Sequence, residues 1–210
     1  MDREMLGRSI GAFAMSLARK IERRRTTTET DIYVQVNLDG EGQSEVQTGI
    51  GFFDHMLTAF AKHSRIDLRL TCKGDLDVDG HHTSEDCALL LGQVIDEALG
   101  EKRGIARFGS AYVPMDEALA RVVVDLSGRP FAAVDLGLKR ERIGTMACEN
   151  ITHVFQSLAV GMRSNLHVDV LKGENDHHRS EAAFKGLALA LKQAVSVTGN
   201  ETVPSTKGVL

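Results

Sequence analysis

Cysteine and proline are scarce, with three of each in 210 residues. Cys72, Cys87 and Cys148 make an odd number without a C-x-x-C pair. This excludes a disulfide framework and a thiolate zinc knuckle, and it fits a reducing compartment, the cytoplasm. No run of about 18 apolar residues exists, so no transmembrane helix is expected. Basic residues are not in excess: Lys plus Arg is 25 against 29 for Asp plus Glu, a net charge of −4. That balance suits neither a nucleic-acid nor a membrane partner. Walker and Rossmann glycine fingerprints are absent, so nucleotide binding has no support. The apolar fraction of 42% and charged fraction of 26% are those of soluble globular chains. They rule out a disordered tail and a collagen-like repeat, and the length is enough to bury a sizeable core. Residues 9–18 faintly resemble a secretory h-region, but Asp2 and Glu4 precede them and a basic run follows at residues 19–25. The stretch 1–22 is therefore expected to be an N-terminal extension ahead of a single domain over 23–210. Pro204-Ser205-Thr206-Lys207-Gly208 reads as an ordered polar loop or a frayed tail, and composition alone favours the tail.

What is present in quantity is histidine, eight residues, four of them in the dipeptides His81-His82 and His177-His178. Hydrophobic spacing places them. Ile32, Val34, Val36 and Leu38 alternate as a strand, and Phe53, Met56, Leu57 and Phe60 predict a helix from Gly51 or Phe52. Ile66, Leu68 and Leu70 predict a second strand. A helical stripe from His82 onward stops at Gly100. The same order recurs with a strand at residues 121–126, a helix at 154–161, a strand through Leu166, Val168 and Val170, and a last helix through Phe184, Leu187 and Leu191. Val34, Val36, Leu38 and Gly40 match Val122, Val124, Leu126 and Gly128 at an offset of 88. His55, Arg65 and Leu68 match His153, Arg163 and Leu166 at 98, and the two His-His-x-Ser-Glu segments match at 96. Such ordered matches argue for an internal duplication over about 30–105 and 115–200. Two copies of strand–helix–strand–helix give an α+β fold of sheets covered on one side by helices.

Residues four apart on a helix are separated by about 40° and share a face. His81 with Glu85, and His177 with Glu181, can therefore grip one ion together. His82 with Glu85, three apart, also lies on roughly one face, which leaves the pairing open. Adjacent residues diverge by about 100°, so His81 and His82 cannot easily serve the same ion. His55 and His153 hold equivalent places in the two halves. Six histidines and two glutamates suffice for two ions of three His and one Glu each, with open positions for catalysis. A single copy of the motif could equally be a solvated helix start. Two copies in duplicated surroundings favour metal. Neither copy forms a zinc-protease motif. His63 and His167 read as surface or satisfied core residues. Arg forks, Lys and hydroxyls suit phosphate oxygens, and Arg107, Arg129, Lys185, Ser205 and Lys207 are candidates, each alone more simply a surface charge.

The segments Arg25-Thr26-Thr27-Thr28-Glu29-Thr30, Asp54-His55-Met56-Leu57 and Asp79-Gly80-His81-His82-Thr83-Ser84-Glu85-Asp86 resemble the imidazoleglycerol-phosphate dehydratases of histidine biosynthesis. So do Asp125-Leu126-Ser127-Gly128-Arg129-Pro130, His153-Val154-Phe155-Gln156-Ser157-Leu158, His177-His178-Arg179-Ser180-Glu181-Ala182 and Pro204-Ser205-Thr206-Lys207-Gly208. The likeness runs in order from about residue 22 to 210. It implies a ribosomal protein S5 domain 2-like fold, a homo-oligomeric cage of 24 subunits built from trimers, and sites between subunits holding two manganese(II) ions. One ion would take His81, Glu85, His153 and His178, the other His55, His82, His177 and Glu181. Arg107, Arg129, Lys185, Ser205, Thr206 and Lys207 would hold the substrate phosphate, and Glu29 its glycerol part. Histidine-rich ligation by itself leans away from manganese, so that ion rests on the resemblance. The implied reaction is dehydration of D-erythro-imidazoleglycerol phosphate to imidazole-acetol phosphate through an imidazolate bound by both metals, with Glu29 or Glu181 as the base. Two other readings share the same clusters: a dinuclear phosphate-ester hydrolase, and an assembly protein in which metal only joins subunits.

Overall fold

Alternate residues of strand β2 (Thr30–Asn37) are removed from solvent: Ile32, Val34 and Val36 are fully buried, while Tyr33 and Gln35 line a partly open face. That period of two sets the architecture. The computed structural model describes residues 19–210; the secretory-like stretch 9–18 lies outside the described residues. The first half comprises β1 (Lys20–Thr26), β2, β3 (Ser44–Gln47), α1 (Gly51–Ser64), β4 (Asp67–Gly74) and α2 (His81–Leu99). The second comprises β5 (Phe108–Met115), β6 (Ala118–Asp125), β7 (Phe131–Asp135), the short pair β8 (Arg142–Ile143) and β9 (Met146–Ala147), then α3 (Cys148–Gly161), β10 (Asn165–Lys172) and α4 (Asp176–Ala194).

The two four-stranded sheets have the same topology, β1-β2-β4-β3 and β5-β6-β10-β7. In each, the first three strands in that order run antiparallel and the last pairs parallel. The hairpin β8–β9, inserted before α3, has no counterpart in the first half. Each half thus holds two more strands in its sheet than the alternation predicts. The extra ones are the sheet edges: β1, β3 and β7 are largely exposed and carry no alternating signal, while β5 alternates but turns the small Gly109 and Ala111 inward. The basic run at residues 19–25 lies almost wholly in β1, which begins at Lys20 and pairs Ile21 with Val36. The last residues of the expected extension therefore belong to the sheet.

Helices α1 and α2 cover the first sheet, and α3 and α4 the second. The helix layers then meet as α1 against α4 and α2 against α3. One continuous core results, with Phe53, Phe60, Phe155 and Phe184 almost wholly buried and the rings of Phe155 and Phe184 4.6 Å apart. The α2–α3 approach depends on glycine at both contact points. A Cβ on Gly92 would stand 2.7 Å from the Leu158 carbonyl oxygen, and one on Gly161 would collide with the Leu89 carbonyl. This face-to-face pairing brings helices of different halves side by side, and the histidines sit there.

Candidate metal centre

Both His-His pairs open a helix. Asp79 Oδ1 accepts the His81 amide at 2.7 Å, and Asn175 Oδ1 accepts the His177 amide at 2.9 Å. A polar side chain just before the first turn satisfies otherwise unpaired amides and fixes where the helix begins. The first histidine of each pair then points across to the other half. His81 Nε2 lies 3.4 Å from Glu85 Oε2 on α2, and His153 Nε2, from α3, lies 3.3 Å from Glu85 Oε1. The two rings stack with centroids 5.0 Å apart. The counterpart joins α4 to α1: His177 Nε2 is 3.1 Å from Glu181 Oε2, and His55 Nε2 is 3.5 Å from the same oxygen.

In each trio the ligand atoms lie within 4.8 Å of one another, so each can close on one ion with two imidazoles and a carboxylate. The fit is supported by His153 Nε2, which is buried and makes no hydrogen bond; a buried polar atom without a partner calls for one. Burial pushes the Glu181 carboxyl up, but the hydrogen bond and charge of Lys185, together with His177, hold it below its ordinary value. It is therefore ionised, as a ligand must be.

The second histidine of each pair diverges from the first by 73° (His82) and 82° (His178) between ring planes. His82 Nδ1 meets Asp75 Oδ2 at 2.9 Å, and its Nε2 stands 3.8 Å from Glu29 Oε1. His178 Nδ1 meets Glu117 Oε2 at 2.7 Å, and its Nε2 stands 3.7 Å from Asp116. The Asp75 and Glu117 hydrogen bonds raise the two imidazoles above their ordinary value. Within one chain, neither His82 nor His178 joins the donors that lie together. Each trio thus has three of its four expected ligands.

The phosphate candidates divide. Arg107 adopts a left-handed backbone at φ 69°, unusual for a residue with a Cβ and frequent at functional positions. Its guanidinium donates to Asp125 at 2.7 Å and to the Pro204 carbonyl at 2.7 Å. The Ser127-Gly128-Arg129 turn packs on the chain end at Leu210, so Arg107, Arg129 and the loop of Ser205, Thr206 and Lys207 share one region. The tail expected to fray is folded back there. Lys185 is not with them: its Nζ is 2.6 Å from Glu181 Oε1. Glu29, in the β1–β2 turn, is half-exposed beside His82. His63 and His167 are exposed and belong to neither trio. A concavity of about 510 Å³ on the first sheet, lined by Tyr33, Thr71 and Lys73 among others, contains none of the six histidines.

Four side chains that the sequence reading passed over hold histidine Nδ1 atoms. Besides Asp75 and Glu117, Asn150 meets His81 at 3.1 Å and Gln156 meets His153 at 3.3 Å. Only Glu117 carried a signal, standing 88 positions after Glu29, the offset of the strands that follow them.

The family model described as imidazoleglycerol-phosphate dehydratase matches residues 48–191. A dehydratase of that name from Phytophthora nicotianae is 59% identical over 186 residues, 89% of this chain and 41% of that longer protein. The Kluyveromyces lactis enzyme is 57% identical over 182 residues, covering 87% of this chain and 81% of the relative. Among solved structures, the Pyrococcus furiosus protein shares 43% identity with a TM-score of 0.75, covering 90% of this chain and all of that one. The Staphylococcus aureus enzyme shares 36% with a TM-score of 0.78, covering 85% of this chain and 99% of that one. The crossed helix pairs, the duplicated His-His-x-Ser-Glu helix starts and these likenesses over both halves agree: the chain belongs to the imidazoleglycerol-phosphate dehydratase family, the hydro-lyases of histidine biosynthesis.

Proposed function

We propose that the chain dehydrates D-erythro-imidazoleglycerol phosphate to imidazole-acetol phosphate at sites completed between subunits, each holding two manganese(II) ions. The observation that carries this is the pair of His₂Glu trios on equivalent crossed helices. His81, Glu85 and His153 would hold one ion and His55, His177 and Glu181 the other, with His178 and His82 supplied by neighbouring copies. The separation of those two histidines from the trios of their own chain supports a homo-oligomer, for which the resemblance suggests 24 subunits. When bound, the cations supply Lewis acidity at the two nitrogens of the substrate ring, which favours loss of the adjoining hydroxyl and of the neighbouring proton. The choice of manganese rests on the family likeness.

Arg107, Arg129, Ser205, Thr206 and Lys207 would bind the phosphate, since they share one region and the fork of Arg107 is already oriented by Asp125. Lys185 neutralises Glu181 and would face the same anion from another copy. Both oxygens of Glu181 are engaged by Lys185 and the imidazoles. Among the described residues, Glu29 is half-exposed and hydrogen-bonded through neither oxygen, so it is the carboxylate freer to take the proton. The odd cysteine count agrees with a cytoplasmic setting.

A dinuclear hydrolase would need a bridging carboxylate beyond the two glutamates. The aspartates next to trio residues in the chain are engaged elsewhere and belong to neither trio: Asp54 Oδ1 accepts from the amide and hydroxyl of Thr48, Asp86 is tied to Thr30 at 2.6 Å and Arg25 at 2.6 Å, and Asp176 Oδ2 accepts the amides of Lys139 and Arg140. The test is to strip the protein with chelator, restore manganese, and assay ketone and inorganic phosphate together. Ketone formed only after metal return supports the proposal. Phosphate release would support the hydrolase, and bound metal without either product would support the assembly reading.

A further inference from the structure

The ring contacts of the six histidines among the described residues follow one pattern. Wherever a ring nitrogen approaches a trio carboxylate, it is Nε2. Wherever a ring is held from behind, it is by Nδ1. The two histidines inside a trio that are held this way use neutral amides, Asn150 and Gln156. The two histidines outside the trios use carboxylates, Asp75 and Glu117. A carboxylate can only accept, so in the neutral rings of His82 and His178 Nδ1 carries the proton and Nε2 keeps its lone pair.

Glu117 is itself fixed through its second oxygen, whereas Asp75 is anchored through its backbone and its Oδ1 is buried without a hydrogen bond among the described residues. Glu117 Oε1 accepts the amides of Glu174 at 3.0 Å and Asn175 at 2.8 Å, and turns its other oxygen to His178. Asp75 sits just after β4, its amide bonded to the Glu29 carbonyl at 3.1 Å. The two are not copies of one another. Glu117 is the counterpart of Glu29, 88 positions on. The place corresponding to Asp75, 98 positions on, is Gly173. The second half therefore took its hairpin-turn acid for the task that the first half gives to Asp75, and Glu29 was left free.

Resting on the two-ion reading above, we propose that Asp75 and Glu117 are positioning residues for the metal centre: each presets the tautomer and direction of the histidine that its chain offers to a neighbour's ion. His82 and His178 have no trio partner in their own chain to orient them. Without a fixed ring, the offered nitrogen would have to be ordered at each assembly step.

The test uses substitutions of similar shape. In Glu117→Gln the carbonyl oxygen can keep the two backbone amides, so the NH₂ faces His178 Nδ1 and favours the tautomer with hydrogen on Nε2. Among the described residues Asp75 Oδ1 has no hydrogen-bond partner that would orient an amide, so for His82 the similarly shaped Asp75→Leu, which removes the acceptor from Nδ1, is used instead. Metal-free wild type and variants are titrated with manganese(II), and the free ion is read from its electron paramagnetic resonance signal. Each variant should bind one of the two ions about 10- to 100-fold more weakly and leave the other unchanged. Glu117→Gln combined with His178→Gln should bind no more weakly than His178→Gln alone, which a general structural defect would not reproduce. Wild-type affinity for both ions in either single variant, or additive losses in the double, would overturn the proposal. A wild-type chain that fails to take up two ions would instead sink the two-ion reading beneath it.

Discussion

Lys185 Nζ lies 2.6 Å from Glu181 Oε1, one helical turn away, while the other oxygen of Glu181 faces His177 and His55. The carboxylate therefore balances a cation on one side and a ligand cluster on the other. Glu181→Gln removes the charge that both sides need. Turnover should fall by about two orders of magnitude or more, with one ion of the pair lost and the substrate contact made by that ion lost with it. Steady-state kinetics and metal analysis on the same preparation check this. Retention of near wild-type kcat would show that Glu181 neither ligates nor takes a proton.

Glu29 gives the contrasting expectation. Glu29→Gln should lower kcat strongly while both ions stay bound, because the side chain makes no contact with either trio. A parallel loss of metal would mean that Glu29 acts through His82 instead.

Arg107 joins the site to the fold, through Asp125 on one side and Pro204 on the other. Arg107→Lys keeps the charge and loses the fork. KM for the phosphorylated substrate should rise about tenfold or more, and competitive inhibition by inorganic phosphate should weaken in proportion. An unchanged KM would remove Arg107 from the phosphate pocket.

Gly161→Ala pushes a methyl group into the Leu89 carbonyl across the α2–α3 contact. Overpacking of this kind costs about 1–3 kcal/mol, a fall in Tm of roughly 2–4 °C for each kcal/mol in a chain of this size. Because α2 and α3 carry His81, Glu85 and His153, the same substitution should weaken one ion and spare the other. Thermal denaturation with and without manganese separates the two effects.

Asp31 reports on the β1–β2 edge. Hydrogen bonds from Arg24 and then Thr26 hold its carboxyl down to about 2, against an ordinary 3.8. A depressed folded value means that the stabilisation is complete above 3.8 and is lost as the pH falls through about 2. The stability difference between wild type and Asp31→Asn should be constant above that window and vanish near its lower end. Acid unfolding curves followed by circular dichroism test this. A difference that persisted below pH 2 would point to a cause other than the ion pair.

Much of this was legible in the chain. The strands β2, β4, β6 and β10 and all four helices announced themselves because each buries one face, and the offsets of 88, 96 and 98 exposed the duplication. The edge strands β1, β3, β5 and β7 did not: Lys20, Glu45 and Phe131 face solvent and follow no period, and the inward face of β5 opens with the small Gly109 and Ala111. The grouping of His55 with Glu181 and of His153 with Glu85 required knowing that α1 meets α4 and α3 meets α2, a tertiary fact. The roles of the carboxylates behind His82 and His178 were hidden for the same reason, even though Glu117 falls at the duplication offset from Glu29: Asp75 and Glu117 lie 7 and 61 residues from the rings they hold.

The crossing of helices between halves has a consequence for ancestry. Each trio draws on both halves, so a precursor of half this length could have held an ion only as a pair of chains. In such a pair symmetry would make the two centres identical, and any substitution would strike both at once. Joining the halves in one chain lifted that constraint. Glu29 and Glu117, equal by descent, then became separable: one carboxylate stayed open toward the solvent while the other was tied to a ring.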